Sequence, residues 1–372
     1  MQMWLLSTTR AELKFFPHPE DVPGGYAILS HVWLTNGEED SFQKVQSYSQ
    51  KTGVPNVPSP IPSHNPAGAS TVEDPQVTAD SETESSPLQP VNPRDLVSPK
   101  LRGFLELAET YGYEWAWADT CCIDKTSSAD LTEAINSMFT YYSLSDVCFA
   151  YLSDFSDDFY DKHRFSISWW HRRGWTLQEL LAPRNVVFVS RTWCIIGNKY
   201  DIASDITFAT GIPESVLRFE KDITDTSVIE RMSWTSGRRT TRPEDQAYCL
   251  FGLFGVRIPT LYGEGSDNAF YRLQEEIMKT SFDTSLFAWE TGSSLKHSFL
   301  APGISSLDEI TSTLSSSPDS DIDVIRHNPE NHMLSPSLGK FRWKNIRSMG
   351  TRPGVVQVLE VVGILVPPFF FC

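Results

Sequence analysis

The residues best suited to chemistry lie in a short stretch, 169–181, with the sequence WWHRRGWTLQELL. It contains one carboxylate, Glu179, and a tryptophan four residues earlier, Trp175. Residues four apart lie on the same face of a helix, so the two side chains are expected on the same side. Glycosidic cleavage passes through an oxocarbenium-like state that a carboxylate can stabilise. The pair therefore predicts a site for cleaving a ribosyl bond, with Glu179 as the catalytic residue.

A structural interpretation of the same residues competes with the catalytic one. Thr176 and Glu179 fit the capping-box pattern T-x-x-E, in which both side chains bond to backbone N–H groups at the start of a helix. In that case Glu179 only caps its helix. An open pocket with an exposed carboxylate would favour catalysis, and a filled pocket with Glu179 bonded to backbone would favour a scaffold.

Cysteine chemistry is a second alternative. Cys121 or Cys122 could act as a nucleophile with His31 as its base, but the sequence offers no orienting third group. Buried inert thiols are also commoner than catalytic ones. Asp119 and Asp124 with His31 lack the spacing of a metal site, and the six cysteines include no C-x-x-C pair. No metal is therefore expected.

Several short apolar runs predict the strands that would position these residues. They lie at 4–7, 26–33, 115–119, 147–152 and 186–189, and helical patterns at 99–111 and 130–145 separate some of them. Ser98 is the predicted cap of the first helix, and Asp130 and Glu133 resemble a capping pair at the start of the second. Alternating strands and helices imply parallel pairing, and ligands of such sheets lie beyond the carboxyl ends of the strands. The substrate-binding residues expected there, beside Glu179, are Ser30, His31, Trp33, Asp119, Cys122 and Trp175.

The chain divides into three predicted regions. An α/β domain covers 1–198 and is interrupted at 47–98 by a segment rich in Ser, Thr, Pro and acidic residues. Such a segment buries too little apolar area to offset its ordering entropy, so we expect a disordered insertion. We interpret it as a tolerated surface insertion, with a regulatory segment as the alternative. Helical patterns dominate 199–290, and 291–372 shows only a late strand pattern at 355–366.

The formal net charge of −16 excludes nucleic acid and anionic membranes as expected partners, because both require a basic surface. The mostly apolar settings of the cysteines suit reduced thiols in the cytoplasm. One basic cluster stands out, at Arg238, Arg239 and Arg242. We interpret it as solvated or paired with Glu244 and Asp245, and anion binding is the alternative.

Six ordered motifs resemble one protein family. They are MWLLSTTRAELKFF, YAILSHVW, WAWADTCCIDK, RRGWTLQELLAP, TTRPEDQAYCLFGLFGV and LYGEGSDNAFYRLQEEIM. Together they resemble the fungal heterokaryon incompatibility (HET) domain proteins over about 1–46 and 99–290, with Lys125 where that family commonly has glutamine. The resemblance implies a role in fungal non-self recognition and programmed cell death. It names no reaction.

A second resemblance implies a reaction. The run LTEAINSMFTYYSLSDVCFAYLSD, followed by WTLQEL, is similar to the TIR-domain pattern of a helix, a strand and then W-C-x-x-E-L. TIR domains have a flavodoxin-like parallel sheet, and many hydrolyse NAD with the glutamate of that motif. Carried over by motif, the glutamate is Glu179 and the tryptophan is Trp175, with Thr176 in the usual cysteine position. NAD is then a substrate, and no cofactor is expected.

The sequence thus predicts a flavodoxin-like (TIR-like) α/β fold with flanking helices, followed by a mostly helical extension. The expected function is that of a cytoplasmic HET-type effector that hydrolyses NAD. Glu179 would stabilise the ribosyl cation as nicotinamide leaves, and Trp175 would line the ribose or base. The alternative is a non-enzymatic module of the same pathway that signals by self-association. An upstream recognition protein is the other expected partner.

Overall fold

The structure is a computed structural model that describes residues 3–33, 39–51, 91–156 and 160–287, with the backbone of two further strands at 342–345 and 359–362. Seven strands form the main sheet: β1 (Met3–Ser7), β2 (Leu13–Phe16), β3 (Ala27–His31), β4 (Trp115–Trp117), β5 (Val147–Tyr151), β6 (Val186–Val189) and β7 (Ile195–Asn198). Their order across the sheet is β2-β1-β4-β3-β5-β6-β7.

The centre of the sheet is parallel and its margins are antiparallel. Strand β3 pairs in parallel with β4 and β5, and β5 pairs in parallel with β6. Every residue of β3, β4 and β5 is buried, as the continuous apolar runs predict for strands covered on both faces. The antiparallel strands β2 and β7 were missed because each has only four residues with exposed positions. The fold is therefore mixed α/β.

Eleven α-helices are present in the described residues. They are α1 (Phe42–Lys51), α2 (Pro99–Thr110), α3 (Ser128–Ser143), α4 (Lys162–Ser166), α5 (Thr176–Leu181), α6 (Ala203–Thr210), α7 (Glu214–Leu217), α8 (Val228–Ser233), α9 (Asp245–Tyr248), α10 (Phe251–Phe254) and α11 (Ser266–Thr280). Helices α6 to α11 agree with the expected helical character of 199–290. Within the described parts of the chain, none of the helices has the length and apolar character needed to cross a membrane.

The helix starts test two predicted caps. Ser98 accepts the N–H of Leu101 at the start of α2, as predicted. The predicted capping pair Asp130 and Glu133 of α3 is wrong. Helix α3 begins two residues before Asp130, and the Ser127 hydroxyl accepts the Asp130 N–H at 3.2 Å. An extended serine at the N-cap satisfies that N–H directly.

Two contacts join the parts of the chain on either side of the predicted insertion. The Asp40 carboxylate accepts the backbone N–H of Ser98 at 2.7 Å. Glu39 forms an ion pair with the largely buried Lys100. The two sides of the insertion are therefore held together by side chains that lie outside it or at its edge.

The predicted insertion is partly structured at both ends. Residues 47–51 belong to α1, and 93–96 form a 3-10 helix. Residues 52–90 lie outside the described residues. The boundaries predicted from composition, 47–98, therefore include residues with secondary structure.

The C-terminal region has one described element pair. Strand β8 (Arg342–Asn345) pairs antiparallel with β9 (Leu359–Val362). Strand β9 lies within the late strand predicted at 355–366. The other residues of 291–372 lie outside the described residues.

Candidate active site

Glu179 lies at the carboxyl end of strand β3. It is carried by α5, whose six residues are all buried. The hydroxyl of Ser30, the penultimate residue of β3, donates to Glu179 Oε2 at 2.5 Å. The same hydroxyl accepts the indole N–H of Trp170 at 2.8 Å. The predicted proximity of Glu179 to Ser30 is therefore present, through direct contact.

The capping-box interpretation is wrong. Helix α5 has no side-chain cap, and its N-cap residue, Trp175, already has helical dihedral angles. A capping box needs an extended residue at that position. Thr176 instead donates to the carbonyl oxygen of Trp170 at 2.5 Å and to that of Arg173 at 2.9 Å. The Glu179 carboxyl contacts a side chain of the sheet rather than the start of its own helix.

Burial controls the charge of Glu179. The residue is only 7% exposed, and burial raises the pKa of Glu179 to about 8. The Ser30 hydrogen bond and the nearby Arg173 and Arg238 act to lower this pKa, and Asp119 acts to raise it. The carboxyl group is therefore mostly protonated at neutral pH in the free protein.

His31 and Asp119 lie next to this pair. His31 is buried, and its Nε2 is 3.4 Å from Asp119 Oδ1, without the alignment of a hydrogen bond. Burial, together with Lys100, Lys125 and Arg173, lowers the pKa of His31 well below its usual range. The imidazole is therefore neutral, and within the described residues both of its nitrogens lack a hydrogen-bond partner.

Trp33 forms the exposed margin of the cluster. Its indole N–H donates to Asp119 Oδ2 at 2.8 Å, and 42% of the residue is exposed. The Lys125 ammonium lies 3.8 Å from the centre of the Trp33 ring. One face of this ring therefore carries a cation and is not open to stack on a base.

Cys122 acts electrostatically on Lys125, at the margin of the cluster, but no described hydrogen bond joins it to Glu179 or His31. Its thiol is buried and accepts the Ala118 N–H at 3.4 Å, and its own N–H returns to the Ala118 carbonyl at 2.8 Å. The thiol is thus held by the turn that follows β4. No described contact joins Cys121 or Cys122 to His31, so the cysteine–histidine alternative gains no support from the structure.

Trp175 is fixed by the helical extension. Its indole N–H donates to Asp245 Oδ2 at 3.2 Å, and the Tyr262 hydroxyl donates to Asp245 Oδ1 at 2.9 Å. Trp175 is partly buried, and only its backbone carbonyl has a described hydrogen bond to Glu179, at 3.4 Å. The helical extension thus sets the orientation of Trp175, at the start of the helix α5 that carries Glu179.

The basic cluster is in part as predicted, because Arg239 and Arg242 are exposed to solvent, whereas Arg238 is half-buried. Arg242 also acts electrostatically on Glu244 and Asp245. Arg238 donates to the Arg173 carbonyl at 2.8 Å and to Thr176 Oγ1 at 2.9 Å. Arg242 stacks on the Tyr262 ring at 4.0 Å. Glu244 instead accepts the N–H groups of Gly263 and Gly265. The Glu244 carboxylate thus accepts hydrogen bonds from backbone N–H groups, and the Asp245 carboxylate accepts them from two aromatic side chains.

Sequence reasoning missed three residues that contact or face Glu179. Trp170 was assigned to the core, and Arg238 to solvent or an ion pair. Tyr142 was assigned to a helix face. Its buried hydroxyl donates to the Leu29 carbonyl at 2.8 Å, and the residue lies close to Glu179. The signals in the sequence were the position of Trp170 within 169–181 and the basic cluster that contains Arg238. The contacts themselves join residues 140 positions apart for Trp170 and Ser30.

The described residues contain no group of three or more His, Cys, Asp or Glu side chains arranged to hold a metal ion. A cavity of about 590 Å³ lies elsewhere, between α3 and residues 257–260, and Glu179 is not among its lining residues. The candidate site is thus a compact cluster of polar side chains with an exposed margin at Trp33.

Replacing Ser30 by alanine tests the hydrogen bond to Glu179. The Ser30→Ala variant should raise the pKa of Glu179 above its value of about 8, because a bond that favours the carboxylate is lost. The Trp170 indole would also lose its acceptor, and stability should fall by about 1–3 kcal/mol. Infrared titration of the carboxyl band and urea unfolding measure these effects.

Ser145→Ala is a matched control, since Ser145 is also buried and its hydroxyl donates to the Tyr142 carbonyl. It should leave the Glu179 titration unchanged. An unchanged titration in Ser30→Ala would show that the Ser30 bond does not set the state of the carboxyl group.

Comparison with known proteins places the first part of this chain in one family. Residues 26–169 match the model of the heterokaryon incompatibility protein (HET) family, and residues 268–369 match a domain of unknown function (DUF8212). The chain is 46% identical over 271 residues to vegetative incompatibility protein HET-E-1 of Podospora anserina. The match covers 70% of this chain but only 17% of that relative's length. No solved structure matches the chain.

The HET match includes Ser30, His31, Trp33 and Asp119 and ends before Glu179. It therefore contains the sheet side of the candidate site, while α5 lies beyond it. On the family match and the incompatibility-protein relative together, this chain contains a domain of the heterokaryon incompatibility (HET) family at residues 26–169.

Proposed function

We propose that this chain is an effector of fungal non-self recognition and cell death that acts by hydrolysing NAD, with Glu179 as the catalytic residue. The observation that carries the proposal is the Glu179–Ser30 contact. It holds a buried carboxyl group at the carboxyl end of a central parallel strand, which is where ligands of such sheets lie. The proposal places the effector in the cytoplasm, with self-association and an upstream recognition protein as its contacts.

The strand order supports the same location. Numbered along the chain, the parallel strands β3, β4, β5 and β6 are first to fourth, and their order in the sheet is second, first, third, fourth. This agrees with the beginning of the flavodoxin-like order, whose ligand site lies between the first and third strands. Glu179 contacts both: its carboxyl binds Ser30 of β3, and its carbonyl accepts from Cys148 of β5 at 3.8 Å.

The proposed reaction is hydrolysis of the nicotinamide–ribose bond. The bonding electron pair leaves with nicotinamide, which departs as a neutral molecule, and positive charge develops on the ribose. Ionised Glu179 stabilises that charge. Water then adds to the anomeric carbon and releases a proton. The cationic nicotinamide ribosyl group favours ionisation of Glu179 when it binds, because an opposite charge nearby lowers a carboxyl pKa.

The rate should rise with pH. Since burial raises the pKa of Glu179 to about 8, only a minor fraction of the free protein carries the carboxylate at pH 6 or 7. We expect kcat/KM to increase about tenfold per pH unit below that pKa and to level off above it. Initial rates of nicotinamide release at low NAD concentration test this. A flat or falling profile from pH 6 to 9 would contradict ionised Glu179 as the active form.

A non-enzymatic self-association module is the second candidate. The observation that favours it is the low exposure of Glu179, together with a 590 Å³ cavity that lies away from it. On this alternative the Ser30 contact only fastens α5 to the sheet. Buried polar groups that are fully hydrogen-bonded are common structural features of a core.

The deciding experiment is to incubate the purified chain with NAD, at low and at high protein concentration, and to measure NAD loss and nicotinamide release by chromatography. Nicotinamide release that equals NAD loss and exceeds one molecule per chain supports the enzyme. Absence of release at both concentrations, from protein shown to be folded and assembled, rejects it in favour of the self-association module.

A further inference from the structure

Positive charge gathers around Glu179 although the chain is acidic overall. Lys125 and Arg173 act electrostatically on His31, and Arg173 and Arg238 act on Glu179. We call Lys125, Arg173 and Arg238 the cationic cluster. Lys100 also faces His31, but it is paired with Glu39. With Glu179 protonated and His31 neutral, the carboxylates that act on these groups are Asp119 and Glu39, and Glu39 is offset by its partner Lys100. The three cations outnumber Asp119, so the local potential is positive in a chain of net charge −16.

The members of the cationic cluster contact uncharged groups. Arg173 donates to Thr241 Oγ1 at 3.0 Å, and Lys125 lies over the Trp33 ring. Arg238 donates to the carbonyl oxygens of Trp234 and Arg173 and to Thr176 Oγ1. No ion pair involving any of the three is found in the described part of the chain.

Three buried nitrogen atoms of Arg238 and His31 also lack a hydrogen-bond partner among the described residues. They are Arg238 Nη2 and both ring nitrogens of His31. Buried donors of this kind are normally satisfied, and exceptions need an explanation. A bound anion that accepts from the guanidinium, next to a hydroxyl that bonds to one nitrogen of the neutral imidazole, would satisfy Arg238 Nη2 and one of the two His31 nitrogens.

We propose that the cationic cluster binds a phosphate or pyrophosphate group of a nucleotide whose ribose lies against His31 and Glu179. Guanidinium groups bind phosphate oxygens in a bidentate manner, and lysine adds a point charge. Identifying the ligand as NAD, and the anion as its pyrophosphate, rests on the proposed function. The proposal that a phosphorylated nucleotide binds at the cationic cluster does not rest on the proposed function.

The test is calorimetric binding of ADP-ribose and of adenosine, which lacks the pyrophosphate, to the full chain. ADP-ribose should bind at least tenfold more tightly than adenosine. Lys125→Gln and Arg173→Gln should each weaken ADP-ribose binding at least tenfold, and Lys125→Arg should restore it. Lys14→Gln is the matched control, because Lys14 also lies over a tryptophan ring, that of Trp115 at 4.8 Å, and should have no effect.

Three results would overturn the proposal: no ADP-ribose binding at millimolar concentration, equal affinity for adenosine, or wild-type affinity in both glutamine variants. These outcomes are separate from the fate of the proposed function. Charge-dependent ADP-ribose binding without NAD consumption would keep this site and reject the enzyme. NAD consumption with ADP-ribose affinity unchanged in Lys125→Gln and Arg173→Gln would keep the enzyme and reject this site.

Discussion

Glu179→Gln should reduce NAD consumption by about 100- to 1,000-fold in kcat/KM, the effect expected when a group that stabilises transition-state charge is lost. Glutamine keeps the size of the side chain and can still accept the Ser30 hydroxyl, which lies 2.5 Å from the carboxyl group. It cannot carry the negative charge that faces the ribosyl cation. The measurement is nicotinamide release by both proteins across a range of NAD concentrations.

A matched control separates this effect from a general change in charge or fold. Glu264→Gln alters a carboxylate that pairs with Arg272 at 2.6 Å, in the helical extension. It should keep activity within a few-fold of wild type. Circular dichroism of all three proteins should be the same. If Glu179→Gln retains more than a tenth of the wild-type rate, Glu179 is not the catalytic residue.

The same substitution should make the protein more stable at high pH. The pKa of Glu179 is raised to about 8 in the folded chain, from an ordinary value of 4.5. The folded state therefore holds a proton that the unfolded state releases between these pH values. The stabilising contribution is complete below pH 4.5 and is lost as pH rises through 8, amounting to roughly 5 kcal/mol in total. Glutamine has no such titration.

Urea unfolding of wild type and Glu179→Gln between pH 5 and 9 measures this difference. The free energy of unfolding of the variant, relative to wild type, should increase with pH and level off above about 8. A carboxylate that was already ionised and stabilised by Arg173 and Arg238 would give the opposite sign, with the variant less stable throughout. A difference that does not change with pH would contradict the raised pKa.

The central strands and the location of Glu179 were predictable from the sequence. Buried parallel strands are long apolar runs, and the rule that sites lie at the carboxyl ends of strands connects Ser30 with Glu179, although the two are 149 positions apart. Those inferences depend on the overall order of elements rather than on individual side chains.

Individual contacts were less predictable. The T-x-x-E pattern suggested a cap, but the dihedral angles of Trp175 decide whether a cap can form, and these follow from the preceding turn. Cys122 follows β4 as Asp119 does, yet the hydrogen bonds of its thiol and its N–H go to Ala118, which the sequence alone does not indicate. The contact of Arg238 with Thr176 joins residues 62 positions apart, and it depends on how the helical extension packs.

The contacts of Asp40 with Ser98 and of Glu39 with Lys100 have a consequence for the evolution of the domain. These contacts hold residues 39–40 close to residues 98–100, whatever number of residues lies between them. The entropy of closing a loop grows slowly with its length, by roughly 0.6 kcal/mol for each doubling. Related chains can therefore gain or lose dozens of residues between these anchor points and keep the same sheet and the same arrangement around Glu179.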